Sequence, residues 1–302
     1  MRYQAYDAGT LKVAYCHRMV LHVQTYYRQS QPWLERISRD RFAATLAPYG
    51  LHLLDLGADD TDLICQLSLP AGEAVATAAS KCKGRLSKWL RATLELAGPD
   101  QLLGKGYLAY TVGDTTSSAV TGYLEKQGDH HGYLARPLPQ VLVETFPQDS
   151  TAHVEAAHSV TLLRYHLVFG TAYRKGIFTP TEARGVLAAW HSMETKGQFS
   201  LLKASFVPDH VHLAVQTYPA VKPLALATEL MNVAQTVMFE QFPEIIIRYG
   251  SNRLWENGCY IGSFGDVASR AVQDAIRRWR RGEASCTECL PDRPTRRGRP
   301  QG

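Results

Sequence analysis

The chain has 302 residues, of which 45% are hydrophobic, 20% charged and 10% aromatic, with a formal net charge of +5. That length and apolar content suffice for two modest domains with real cores and exclude a disordered or fibrous chain. No apolar run reaches the roughly 18 to 20 residues a membrane span needs, and the opening MRYQAYDAG lacks a signal-peptide core, so a cytoplasmic protein with no membrane contact is expected.

In chain order, the apolar, β-branched residues 13–29 predict a strand ending at Tyr27-Arg28. A helix over 39–49 follows, then a strand pair in LHLLDLGADDTDLICQLSL and a helix around 75–96. Residues 102–127 read as a strand, a Gly-Asp turn and a terminal helix, and the Pro-bearing, aperiodic 136–159 reads as a linker. The same order then returns: a strand over 159–175 ending at Tyr173-Arg174, a helix over 181–196, the strand pair FSLLKASFVPDHVHLAVQTY, a helix over 224–242, and a strand, Gly-Asp turn and helix over 254–279. Gly106, Gly113, Asp114, Ala119 and Val120 fall opposite Gly258, Gly265, Asp266, Ala271 and Val272. A tandem duplication of one α+β unit is expected, each copy a small antiparallel sheet with helices on one face. The boundaries are 1–135, a linker 136–158, 159–282, and a basic tail 283–302.

Arg270, Arg277, Arg278, Arg280, Arg281, Arg293, Arg296, Arg297 and Arg299 crowd the last 33 residues of the chain, a charge that suits either phosphate contacts or a solvated face and tail. Cys16, Cys65, Cys82 and Cys259 sit in apolar surroundings and read as reduced thiols; Cys286 and Cys289 form a C-x-x-C with no second pair at zinc-ribbon spacing.

The sharpest local signal is VPDHVHLAV, residues 207–215. Alternate side chains of a strand share a face, so His210 and His212 point one way while Val211 and Leu213 face the core. Two imidazoles about 6 to 7 Å apart along a strand can chelate one divalent ion if a further ligand joins them. Asp209 is expected to cap the preceding turn, with orientation of an imidazole as the alternative.

These residues, with YHLVFGTAYRK, LWENGCYIGSFGDV and the first-half LLGKGYLAYTVGDTTSSAVTGYLEKQ, make the chain similar to the single-tyrosine HUH transposases of the TnpA type, IS200-like and REP-associated members included. The resemblance implies tandem ferredoxin-like (RRM-like) HUH domains, Mg²⁺ or Mn²⁺, and cleavage and rejoining of single-stranded DNA with terminal hairpins through a 5′-phosphotyrosine. In that family the tyrosine lies in a Tyr-[Ile/Leu]-Glu-x-Gln helix whose Gln is the third metal ligand. Members work as homodimers in which one subunit's tyrosine helix meets the other's histidine pair. They also often neighbour an RNA-guided nuclease gene, a partner that nothing in this chain itself shows.

Here the two components are divided. The first half has Tyr123-Leu124-Glu125-Lys126-Gln127 but Asp60 and Asp62 in place of the histidines; the second has His210 and His212 but Ala275 and Trp279 in place of the tyrosine and glutamine. The expectation is a covalent pseudo-dimer, acting as a monomer, with one composite site of Tyr123, Gln127, His210 and His212. Tyr260 is the fallback nucleophile. Arg28, Arg174 and Lys175, beside Tyr27 and Tyr173, are expected to pair phosphate contacts with base stacking, and Lys83, Arg85 and Lys88 form a basic helical stretch suited to a hairpin. The alternatives are an inactive hairpin-binding regulator and a homing or replication nickase of the same chemistry.

Overall fold

The computed structural model describes residues 4–25, 37–59, 61–93, 102–113, 117–125, 140–146, 154–156 and 159–281. In chain order the elements are β1 Lys12–Cys16, β2 Arg18–Gln24, α1 Arg39–Leu46, β3 His52–Ala58, β4 Asp62–Ser68, α2 Val75–Thr93, β5 Tyr107–Val112, α3 Ser117–Glu125, β6 Leu142–Thr145 and β7 Val154–Ala156. There follow β8 Ser159–Gly170, α4 Pro180–Gly197, β9 Phe199–Val207, β10 His210–Thr217, α5 Pro223–Gln241, α6 Glu244–Tyr249, β11 Gly258–Ser263 and α7 Arg270–Arg281. The architecture is mixed α and β around one mixed sheet.

The sheet runs β3-β4-β2-β5-β8-β10-β9-β6, and β8 is its spine. One edge of β8 pairs in parallel with β5 through residues 159–162 and then antiparallel with β11 through 165–168; the other pairs with β7 and β10. Within each half the antiparallel order is the same: β3-β4-β2-β5 in the first, β9-β10-β8-β11 in the second.

Two expected elements differ. The strand over 13–29 breaks at His17, and its pieces part company: β2 enters the first sheet while β1 pairs in parallel with β11. The break is held by His17, whose Nδ1 donates to the Pro70 carbonyl at 3.1 Å while Nε2 lies 3.0 Å from the Tyr165 hydroxyl. The segment expected as a linker supplies β6, an added edge beside β9, and β7 beside β8.

Local chemistry explains the helix ends. Thr179 and Glu182 form a reciprocal capping box around Pro180, the start of α4. The main core gathers the inward residues of the strands against the helices; Trp190, Trp255, Phe169, Phe178 and Phe206 interlock there. The opposite sheet face is covered by an exchange of helices. From the first half, α3 lays Val120 and Leu124 on Ala214 and Phe264 of the second. From the second half, α7 lays Val272, Ala275 and Trp279 on Val20, Tyr110 and Leu162.

Two glycines permit this crossing. A Cβ on Gly113 would stand 2.1 Å from the Ser263 carbonyl oxygen, and one on Gly265 would stand 2.2 Å from that of Thr111. Such distances admit only glycine at both points. Reciprocal hydrogen bonds seal the junction: Thr111 Oγ1 donates to the Phe264 carbonyl at 2.8 Å, and Ser263 Oγ to the Val112 carbonyl at 2.7 Å.

Candidate active site

Strand β10, HVHLAVQT, is buried along its whole length. Val211, Leu213 and Val215 enter the main core, so alternation sends His210 and His212 to the face that α3 covers. Their ring centroids are 4.9 Å apart. A third imidazole joins them: His166 of β8 stacks on His212 at 5.1 Å, and its Nε2 lies 2.9 Å from His212 Nδ1. Burial lowers the His166 pKa to about 4, which keeps that ring neutral at ordinary pH.

Tyr123 reaches this cluster from α3. Its ring lies edge-on to His212 with centroids 5.4 Å apart, and 6.3 Å from His166. The first-half tyrosine and the second-half imidazoles are therefore neighbours. Helix α3 is held by Val120 and Leu124 underneath, by the Gln140 amide donating to the carbonyls of Leu124 and Glu125, and by Lys203 Nζ at 2.7 Å from Glu125 Oε1. Burial raises the Tyr123 pKa, so the phenol is a poorer nucleophile unaided than a free tyrosine. Tyr260 also borders the cluster, 5.9 Å from His166, with its ring folded over Gly262, where a Cβ would meet the phenolic oxygen at 2.5 Å.

Asp209 does not act chiefly as a turn cap. Its Oδ1 lies 2.6 Å from His210 Nδ1 and its Oδ2 accepts from Arg174 at 2.9 Å. Burial works to raise its pKa, but the His210 bond and charge and the Arg174 guanidinium outweigh that and hold the carboxyl below its ordinary value. The carboxylate fixes the His210 proton on Nδ1 and leaves Nε2 with a lone pair to offer.

The His210–His212 spacing and the Asp209 brace suit a divalent ion bound through imidazole nitrogen. Among the described residues no three His, Cys, Asp or Glu side chains form a ready ligand cluster. Gln127 and Arg28 lie outside the described residues.

The expected basic contacts are mostly engaged elsewhere. Lys83 Nζ donates to the carbonyls of Gly104, Lys105 and Gly106 at 2.7 to 2.8 Å, and burial lowers its pKa; it ties down a loop and is not placed for a phosphate. Arg85 stacks over Tyr49 at 3.9 Å, and Lys175 Nζ donates to the Tyr249 carbonyl. Lys88 lies on the same helix, α2. No sequence motif marks His166; its place follows from the β8–β10 register, which sets it diagonally beside His212.

A buried imidazole cluster capped by a tyrosine from another segment defines a class of site suited to metal-assisted phosphoryl chemistry. Residues 159–278 match the family model described as "Transposase IS200 like". The matched span holds His166, His210 and His212; Tyr123 lies outside it. The IS200 transposase of Salmonella typhimurium is 24% identical over 121 residues, which cover 40% of this chain and 79% of the relative, and that of Salmonella typhi gives the same figures. The crystal structure of a candidate transposase from Deinococcus radiodurans aligns with 21% identity and a TM-score of 0.35, over 42% of this chain and 97% of its own. No helix among the described residues is long and apolar enough to cross a membrane.

Proposed function

We propose that this chain is a single-strand DNA transposase, cutting and rejoining DNA through a covalent 5′-phosphotyrosine at Tyr123, in one site built from both halves of a duplicated unit. The observation that carries the reading is the 5.4 Å approach of the Tyr123 ring to His212 across the exchanged helices. The repeated strand order and the paired glycine junction support the duplication.

His210 and His212 would hold Mg²⁺ or Mn²⁺, with Gln127 as a further ligand. When bound, the ion supplies positive charge that polarises the scissile phosphate and offsets charge on the attacking phenol. The remaining work falls to the chain. Asp209, itself held by Arg174, orients His210, and His166 orients His212. Helix α3, anchored by Lys203, would hold Tyr123 over the imidazoles for attack on phosphorus. The Tyr123 phenol loses its proton, the bond to the 3′ oxygen breaks, and the 3′ oxygen takes up a proton. The phosphodiester to Tyr123 retains the bond energy, so attack by another 3′ hydroxyl rejoins strands. Neither water nor a second protein nucleophile is needed. One complete site per chain also lets the protein act as a monomer.

Incubation with single-stranded DNA carrying the element's own ends and Mn²⁺ tests this reading. A DNA adduct that survives denaturation and requires the cation is expected. Cleavage that leaves a free 5′ phosphate and no adduct would instead indicate hydrolysis by water.

A further inference from the structure

A cleft of about 490 Å³ is lined by Tyr173, Asn252, Arg253, Glu256 and Asn257 among others. Its size is in the range of small-ligand pockets. Tyr173 forms one wall and is 79% exposed, an unusual position for an aromatic ring. Its backbone keeps it there: Tyr173 and Arg174 are consecutive left-handed residues, with φ of 59° and 53°. Bulky residues adopt that conformation only when their surroundings impose it. The surroundings are visible here. Ala172 N–H donates to the Leu254 carbonyl and Glu256 N–H to that of Gly170, which zip the Tyr173 turn against the opposite wall.

The Tyr173 turn that lines the cleft also reaches the imidazole cluster through Arg174. Arg174, next to Tyr173, contacts Asp209 and His210. A Cβ on Gly170 would stand 3.1 Å from Arg174 Nη1 and 3.6 Å from Glu256 Oε2, so the Glu256 carboxylate sits at the Arg174 end of the cleft. A strand with its phosphate at His210 would pass Arg174, whose guanidinium lies between that imidazole and the Glu256 end of the cleft.

We infer that the cleft receives a nucleobase adjacent to the scissile phosphate, stacked on Tyr173 and read by Glu256. A carboxylate only accepts hydrogen bonds, so Glu256 selects a base with an exocyclic amino group over one without. This rests on the single-strand DNA reading above and specifies its substrate.

The test is fluorescence anisotropy of the full chain with labelled 12-nucleotide strands of deoxycytidine, of thymidine and of abasic residues, without divalent cation so that none is cut. The wild type is expected to bind the cytidine strand tightest. Tyr173→Ala should weaken it about tenfold and leave the abasic strand unchanged, while Tyr173→Phe restores it. Glu256→Gln should bring the cytidine strand down to the thymidine level. Equal loss on cytidine and abasic strands in Tyr173→Ala, or no loss on either, overturns the stacking site. An unchanged cytidine-to-thymidine ratio in Glu256→Gln overturns the base selection. Binding in this pattern by a chain that forms no covalent adduct would sink the transposase chemistry and leave the cleft standing.

Discussion

The two halves place an ionisable pair at matching positions and fill them differently. Asp62 stands across from Gln24, with His22 two residues earlier on β2; His212 stands across from Val168, with His166 two residues earlier on β8. In the second half the pair is two imidazoles joined at 2.9 Å beneath Tyr123. In the first, His22 Nδ1 and Asp62 Oδ2 are 3.8 Å apart, and among the described residues neither atom has a hydrogen-bond partner. The helix covering the first half, α7, brings buried Ala275 and Trp279 to a cluster that includes Tyr110, which lies 3.4 Å from His22. The same exchange of helices thus delivers a phenol to one side and packing to the other. Burying polar groups is common to both; presenting a phenol to paired imidazoles is not.

The largest contrast should come from substitution at the matched strand position. His212→Ala is expected to reduce single-strand cleavage about a thousandfold, as loss of several kcal/mol of metal stabilisation implies, measured as initial rates with Mn²⁺. Asp62→Asn, at the equivalent place, should leave the rate within about twofold, the range of an uninvolved site. A comparable loss in both would mean that the first half shares in the chemistry.

The junction between the halves should fail in acid. Burial lowers the His17 pKa from 6.5 to about 4. The unfolded chain therefore binds the proton first, so stability is full above pH 6.5 and falls as pH drops towards 4. The loss approaches about 3 kcal/mol, at 1.36 kcal/mol per unit. Denaturant midpoints at pH 7 and pH 4.5 measure it, and His17→Asn should flatten this part of the dependence.

A smaller effect is expected at Asp209, which braces one imidazole without touching substrate. Asp209→Asn should raise the Mn²⁺ concentration for half-maximal cleavage by about 10- to 100-fold, with the saturated rate less affected. Smallest of all, Glu125→Gln should cost about 1 kcal/mol, since Glu125 is 58% exposed and the amide still offers an oxygen to the buried Lys203 ammonium. The rate should fall a few-fold as α3 loosens over the imidazoles, with no change in Mn²⁺ requirement.

What was legible in the sequence was local. The alternation in VPDHVHLAV placed two histidines on one face, and the Gly-Asp turns marked the ends of β5 and β11. What depended on pairing was hidden: His166 becomes a neighbour of His212 only through the β8–β10 register, and His17 breaks a strand whose halves join different partners. Asp209 read as a turn residue because Pro-Asp is a turn signal; its carboxylate is turned by Arg174, 35 positions earlier, and by His210. The sequence offers Lys83 to a DNA hairpin because nothing in its helix announces three carbonyls from a loop 21 to 23 residues away.

The most direct measurement is peptide mapping of the DNA adduct by mass spectrometry after nuclease trimming. The 5′ phosphate is predicted on the peptide containing Tyr123, with the adduct lost in Tyr123→Phe and kept in Tyr260→Phe. A label on Tyr260, or an adduct that persists in Tyr123→Phe, would contradict the account.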